Sequence, residues 1–276
     1  MKNIIVLIDN SVNSAHLAIS AMNIALKIGA NITLAHAAKK NSTDDDPQEM
    51  SIEQLNEKEA LKAIADKLEN KIEKSGVLVK VHCLMHNGSV IDLLSEHTGD
   101  GQVDLLIIGS HQSGEWEKVM FRTQMQDILE NIGCPLLVIP KKFIINDIHQ
   151  TIFAVDLSIG YKKALQYVVA FSAPFGSNVI VNHISNLGFP EKPSEEDLFN
   201  QVNLNLDPNF PAAAFHSIRS ANVKATLLET MENGKVDLLC LVHKNYNFLR
   251  GLFHRSVSNQ LADNAVVPIM VLQENY

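Results

Sequence analysis

The chain has 276 residues, of which 46% are apolar and 20% charged, with a formal net charge of −8. That length divides into two units of ordinary domain size, the composition excludes a disordered chain, and the acidic balance argues against a general nucleic-acid binder, which carries a basic face. No apolar run approaches the roughly 20 residues that span a bilayer, and the chain opens on a strand without a signal-peptide layout, so a cytoplasmic protein with no membrane part is expected.

In chain order, Asn3–Ile8 is a continuous apolar run of strand length, as a parallel strand covered on both faces requires. Ser14–Ile28 places Leu17, Ala21, Ile24, Ala25 and Ile28 at helical spacing and closes on Gly29. Asn31–Ala37 is a second strand. Lys39–Glu53, with Asp44-Asp45-Asp46-Pro47, is a loop by composition and lacks the Gly and Glu of a calcium loop. Glu53–Ser75 is a long amphipathic helix carrying Leu61, Ile64, Leu68 and Ile72, ended by Gly76. Val77–Met85 is a strand, Ser89–His97 a helix, Val103–Ile108 a strand, Thr123–Asn131 a helix and Pro135–Ile139 the closing strand. After the connection Lys141–Gln150, the strands Ile152–Val155, Val179–His183, Phe215–Ile218, Leu238–Val242 and Ile269–Leu272 follow. A short helix over Ser194–Asn203 stands in a Pro- and Asn-rich stretch.

The two halves repeat one another. Val103-Asp104-Leu105-Leu106 returns as Val236-Asp237-Leu238-Leu239, and Cys134-Pro135-Leu136-Leu137-Val138-Ile139 as Val267-Pro268-Ile269-Met270-Val271-Leu272, each about 133 positions downstream. Solenoid repeats run at roughly 20–50 residues, so this spacing is a duplicated domain. Alternating β and α elements imply a parallel, doubly wound sheet of five strands in each half, and ligands of such sheets gather at the carboxyl ends of strands where strand order reverses. The closing strands Pro135–Ile139 and Pro268–Leu272 would otherwise be exposed apolar edges, which predicts that the halves pair through them as an intramolecular pseudo-dimer.

Several local patterns, taken together, resemble the tandem members of the universal stress protein family. They are Leu7-Ile8-Asp9-Asn10-Ser11 at the end of the first strand, Leu34-Ala35-His36 at the end of the second, and Gly88 opening the helix after the third. To these are added Val103-Asp104-Leu105-Leu106-Ile107-Ile108-Gly109-Ser110-His111 and Gly133-Cys134-Pro135-Leu136-Leu137-Val138-Ile139-Pro140. The resemblance covers essentially the whole chain. It implies an adenine-nucleotide α-hydrolase-like fold, with one domain over 1–140 and a second over 151–276. It also implies a stress-response regulatory protein holding ATP or another adenine nucleotide, optionally with Mg²⁺. The implied contacts are Asp9, Asn10, Ser11, Ala37, Gly88, Gly109, Ser110, His111, Gly114, Arg122 and Thr123.

Nucleotide-binding members of the family carry G-x-x-G, nine residues, then G followed by Ser or Thr. Glycines there let backbone N–H groups approach phosphates, and the hydroxyl sits at a helix N-terminus whose dipole favours an anion. Here Gly109 and Thr123 keep the first and last positions, but Gln112 and Arg122 replace the other glycines, a damaged cradle in which Arg122 could offer its charge to an anion. In the second half Val242, Asn245, Arg255, Ser256 and Ala221 stand at the positions of Gly109, Gln112, Arg122, Thr123 and Gly88. The β-branched Val242 argues against a phosphate turn and for a pseudo-site, although Asp156 survives.

Simpler roles compete with each of these. Asp9 serves equally as the cap of the helix that follows, and Arg122 and Arg255 as members of salt bridges. His36 and His183, at matching strand ends, are more readily hydrogen-bonded structural residues than bases. His82 and His86 on one strand stand roughly 13 Å apart and cannot share an ion. The three cysteines, Cys83, Cys134 and Cys240, form no C-x-x-C pair, a usage suited to a reducing compartment. No P-loop, nucleophile elbow or nucleotidyl-transfer signature is present, so catalysis beyond slow ATP hydrolysis is not expected. The alternative to a nucleotide-binding regulator is a module that binds protein partners without nucleotide; further dimerisation is compatible with both.

Overall fold

A computed structural model of the chain describes residues 2–9, 14–38, 51–98, 103–110, 127–129, 131–141, 143–155, 161–185, 213–233, 236–243 and 267–273. They belong to two compact units, Met1–Asn146 and Asp147–Tyr276. The first unit runs β1 (Asn3–Leu7), α1 (Ser14–Ile28), β2 (Asn31–Ala38), α2 (Ile52–Ser75), β3 (Val81–Asn87), α3 (Val90–His97), β4 (Leu105–Gly109) and β5 (Leu136–Ile139). Its strands lie in the order β3-β2-β1-β4-β5, every pair parallel. The chain steps outward from β1 to β3 and then returns to the other flank of β1, so strand order reverses between β1 and β4.

Burial explains the elements. Ile4, Val6, Ile32, Leu34, Leu105, Leu106, Ile107, Leu136 and Leu137 are fully buried, consistent with strands covered on both faces. Helix α1 buries Leu17, Ala21, Ile24 and Ala25, the spacing its sequence predicts. Helix α2 begins with a capping box, Ser51 Oγ accepting from the Gln54 amide while the Gln54 side chain accepts from the Ser51 amide. It stops at Gly76, whose φ of 72° lies in the left-handed region that glycine enters without cost. Only 127–129 and 131 of the expected Thr123–Asn131 helix are described, and they are helical.

Two strands start two or more residues later than their sequence suggests. The expected Val77–Met85 begins at Val81, and Leu78 is 98% exposed. The left-handed turn at Gly76 sends the chain outside the sheet, and only when the Lys80 amide donates to Asn31 Oδ1 (3.1 Å) does β3 join β2. The expected Val103–Ile108 begins at Leu105 because Asp104 has another task. Its Oδ2 accepts from the amides of Lys2 (2.6 Å) and Asn3 (3.0 Å), tying the start of β1 to the start of β4.

The second unit runs β6 (Gln150–Val155), α4 (Tyr161–Ser172), a 3₁₀ turn (Ala173–Phe175), β7 (Asn178–Ser185), β8 (Ala214–Arg219), α5 (Val223–Asn233), β9 (Leu238–His243) and β10 (Ile269–Gln273). Its order, β8-β7-β6-β9-β10, repeats the parallel pattern of the first. The expected helix over Ser194–Asn203 lies outside the described residues. Phe153, Phe171, Val181, Leu238, Leu239, Cys240 and Met270 form the buried core, with Phe171 against the rings of Tyr167 and Phe175. Asp237 Oδ2 accepts from the amides of His149 (2.7 Å) and Gln150 (2.9 Å), the same clasp that Asp104 makes. The repeated Val-Asp-Leu-Leu is therefore a structural signature, with the aspartate fastening the first strand of its own unit. Asp104→Ala and Asp237→Ala should each cost about 1–2 kcal/mol, since water partly replaces the lost acceptor. Urea denaturation would measure it, and amide exchange should rise at the first residues of β1 or β6 respectively.

Candidate functional site

Strand order in the first unit reverses between β1 and β4, and sheets of this kind hold their ligand crevice at the carboxyl ends of those strands, here with β2 beside it. On β1's side, Asp9 is fastened to the start of α1. Ser14 Oγ donates to Asp9 Oδ1 at 2.8 Å and lies within hydrogen-bonding contact of the Asp9 carbonyl, and Ser14 is buried. The carboxylate thus joins strand end to helix start.

On β2's side, the Ile8 amide donates to the Ala35 carbonyl (2.8 Å), and His36 Nδ1 donates to the Ile8 carbonyl (2.7 Å). The other ring nitrogen of His36 stands 3.3 Å from Glu57 Oε2 on α2. No hydrogen bond joins these two atoms. Ala37 follows at the rim. The second unit repeats the histidine clasp: His183 Nδ1 lies 3.1 Å from the Val155 carbonyl, and both pairs are 28 residues apart.

On β4's side, the Ser110 amide donates to the Ile139 carbonyl (2.9 Å). Gly109 is not among the glycines with positive φ, and a Cβ built on it would meet only Leu17 Cδ2 at 3.9 Å, an ordinary contact. Neither backbone conformation nor described neighbours demand a glycine there. Ser110 Oγ and His16 Nδ1, the latter in the first turn of α1, are buried and have no hydrogen-bond partner among the described residues. Buried polar atoms without a partner among the described residues suit a site for a small polar ligand.

Gly88 has a different explanation. Its amide donates to the Ala38 carbonyl (3.1 Å), and a Cβ on it would sit 2.8 Å from His86 Nε2. A side chain at this position would require the ring of His86 to move aside. The neighbouring Ser89–Asp92 capping box starts α3, and its hydrogen bonds from the Ser89 hydroxyl and amide hold the Asp92 carboxyl below the usual range. In the second unit, Ala221 is exposed and precedes Asn222, whose Oδ1 accepts from the Ala225 amide (3.1 Å) to start α5.

Of the residues expected to contact a ligand, Asp9, Ala37, Gly109 and Ser110 come together at the ends of β1, β2 and β4. Gly88 sits at the end of the edge strand β3. Asn10, Ser11, His111, Gly114, Arg122 and Thr123 lie outside the described residues, as do Gln112 and, in the second half, Asp156, Asn245, Arg255 and Ser256. Sequence reasoning missed Glu57 and Ser14 as partners of His36 and Asp9. It also missed Asn182, 2% exposed with Oδ1 unpartnered among the described residues, at the position held by Ala35 in the first unit. Burial pushes the Cys134 thiol up to about 12 and raises Cys240 as well; the exposed Cys83 is raised by partial burial, then by the charges of Glu69 and Asp66. Among the described residues no group of three or more His, Cys, Asp or Glu could hold a metal ion, and no helix is long and apolar enough to cross a membrane.

A family model described as the Universal stress protein family matches residues 1–140. No curated protein matches the chain. Among solved structures, a universal stress protein from Archaeoglobus fulgidus DSM 4304 is 15% identical, covers 98% of this chain and 96% of its own, and superposes with a TM-score of 0.70. A putative universal stress protein from Pseudomonas aeruginosa UCBPP-PA14 is 13% identical over 100% of this chain and 94% of its own, with a TM-score of 0.60. The cytoplasmic domain of a prokaryotic cation chloride cotransporter is 11% identical over 99% of this chain and 96% of its own, with a TM-score of 0.58. At these identities the likeness concerns the fold alone, and the third structure illustrates that one fold serves different tasks.

Proposed function

The chain belongs to the universal stress protein family, and from that premise we propose that it is a cytoplasmic stress-response regulator whose first unit binds ATP or another adenine nucleotide. In this reading residues 1–140 form a stress-protein domain with a partly degenerate phosphate loop, and 151–276 a second with that loop lost. The observation that carries it is that Asp9, Ala37, Gly109 and Ser110 stand at the ends of neighbouring strands where strand order reverses, with Ser110 Oγ buried and without a partner among the described residues. Asp9 would accept hydroxyls of the ribose or the adenine amino group, with Asn10 and Ser11 beside it, and the backbone of Ala37 would meet the base. Gly109, Ser110, His111, Gly114, Arg122 and Thr123 would line the phosphates, with Gly88 at the far rim. Bound Mg²⁺ would neutralise phosphate charge. No residue is assigned a catalytic role, and the ligand's effect would be read by a protein partner.

The second reading, a protein-interaction module without nucleotide, is favoured by Gln112 and Arg122 standing where the family pattern has glycine. Calorimetric titration of the full chain with ATP, with and without Mg²⁺, separates the two. One site per chain is expected, since Val242 and Ala221 replace glycine in the second half. Two equivalent sites would overturn the asymmetry, and no heat at any concentration would favour the second reading.

A further inference from the structure

One row of side chains across the sheet has changed character between the two units. In the first unit the register places Leu7, Ala35 and Leu84 side by side on β1, β2 and β3. In the second the same row is Ala154, Asn182 and His216 on β6, β7 and β8. His36 and His183, which follow Ala35 and Asn182 and lie against the matching carbonyls of Ile8 and Val155, fix the correspondence. Register partners in a parallel sheet carry their side chains on one face, so an apolar row in one unit has become a polar row in the other.

Packing alone does not explain the exchange. Asn182 is 2% exposed, and its Oδ1 is buried without a hydrogen-bond partner among the described residues. A leucine of similar size would fill the same place without desolvating an amide oxygen, which is costly when no donor meets it. Beside it, Ala154 is partly exposed although β6 is an inner strand, paired with β7 on one side and β9 on the other. Solvent therefore reaches the small residue that borders the amide. Next to Ala154 on β9 stands the buried Leu241, and at the outer end of the row His216 is exposed on the edge strand β8.

We propose that the second unit holds a small-molecule site of its own on this row, for an uncharged ligand that carries an N–H₂ group. The ligand N–H donates to Asn182 Oδ1, its apolar body rests on Ala154 and Leu241, and the imidazole of His216 meets a polar group at the outer end. The row contains no carboxylate, lysine or arginine, so neither an ammonium nor a phosphate finds a counter-charge in it. That is why the ligand is an uncharged donor. The proposal stands apart from the nucleotide reading, which concerns the first unit.

The test uses the full chain labelled with ¹⁵N and two probes of one shape, benzamide and acetophenone, the second carrying a methyl group in place of N–H₂. Benzamide should shift the signals of Ala154 and Asn182 and bind about tenfold more tightly than acetophenone, the share of one hydrogen bond to an otherwise unsatisfied acceptor. In Asn182→Leu that preference should vanish, and the melting temperature should not fall, because the amide oxygen has no partner to lose among the described residues. Ala154→Leu, which installs the residue the first unit has there, should keep the fold and abolish binding of both probes. Equal affinity of the two probes in the parent, binding of neither, or unchanged binding in Ala154→Leu would overturn the proposal. So would a lower melting temperature in Asn182→Leu, since it would show that the chain or a buried water already satisfies the oxygen. ATP should not displace benzamide, and a parent that binds no ATP would end the nucleotide reading while leaving this result intact.

Discussion

Replacing Phe153 with alanine is expected to destabilise the second unit by about 3–5 kcal/mol and to leave ATP binding intact. Phe153 is fully buried in the middle of β6, where its register partners are Val181 on β7 and Cys240 on β9, both also fully buried. The lost ring removes its own transfer energy and leaves a cavity that close-packed strands cannot collapse into. Hydrogen exchange followed by mass spectrometry should show faster exchange in β6, β7 and β9, with β1, β2 and β4 near parent rates because their core lies in the other compact unit. If ATP binding disappeared together with the second unit's protection, the crevice would not be a property of the first unit alone, and the single-site reading would fall.

The order of elements was legible because periodicity reports burial, and burial decides most of this fold. Helix α1 spans the predicted Ser14–Ile28, and the strands of both halves sit within a few residues of their predicted places. The errors fall where an apolar residue is not buried or a polar one has a remote partner. Val77 and Leu78 look like a strand, yet they form an exposed connection to an edge, and local pattern cannot separate the two. Asp104 and Asp237 were visible as a repeated motif, but their amide partners lie about 100 residues away in sequence for the first and 87–88 for the second, beyond any local rule. The same holds for the crevice. Asp9, Gly109 and Ser110 could be named from strand-end patterns, and His36 and His183 from their matching positions. That Glu57, in the second turn of α2, stands behind His36 follows only from how α2 folds over the sheet. Asn182 was illegible for a further reason: a polar residue inside an apolar run looks like an interruption, and here it is a buried amide whose oxygen has no partner among the described residues, in a half that keeps the fold while departing from the loop pattern.

Restoring glycine at both Gln112 and Arg122 is expected to tighten ATP binding by roughly ten- to a hundredfold, the equivalent of one regained charge-assisted hydrogen bond of about 1.5–3 kcal/mol. The physical reason is access. Phosphate oxygens bind backbone N–H groups closely only where no Cβ stands in the way, and two side chains now occupy the positions that the family pattern keeps bare. If the restored loop works through the same crevice, the carboxylate of Asp9 must contribute to it. Asp9→Asn is the informative change there, because an Asn Oδ1 can still accept from Ser14 Oγ and preserve the start of α1, whereas alanine would remove that bond as well. Loss of affinity in Asp9→Asn with unchanged thermal stability would place the carboxylate on the ligand. Arg122→Gly alone discriminates further. If the guanidinium already compensates by pairing with phosphate, that single change weakens binding, and only the double change exceeds the parent. Titration of the four proteins decides among these outcomes. Absence of ATP binding in the parent and in the double variant alike would reject the phosphate cradle and leave a protein partner as the object of this surface.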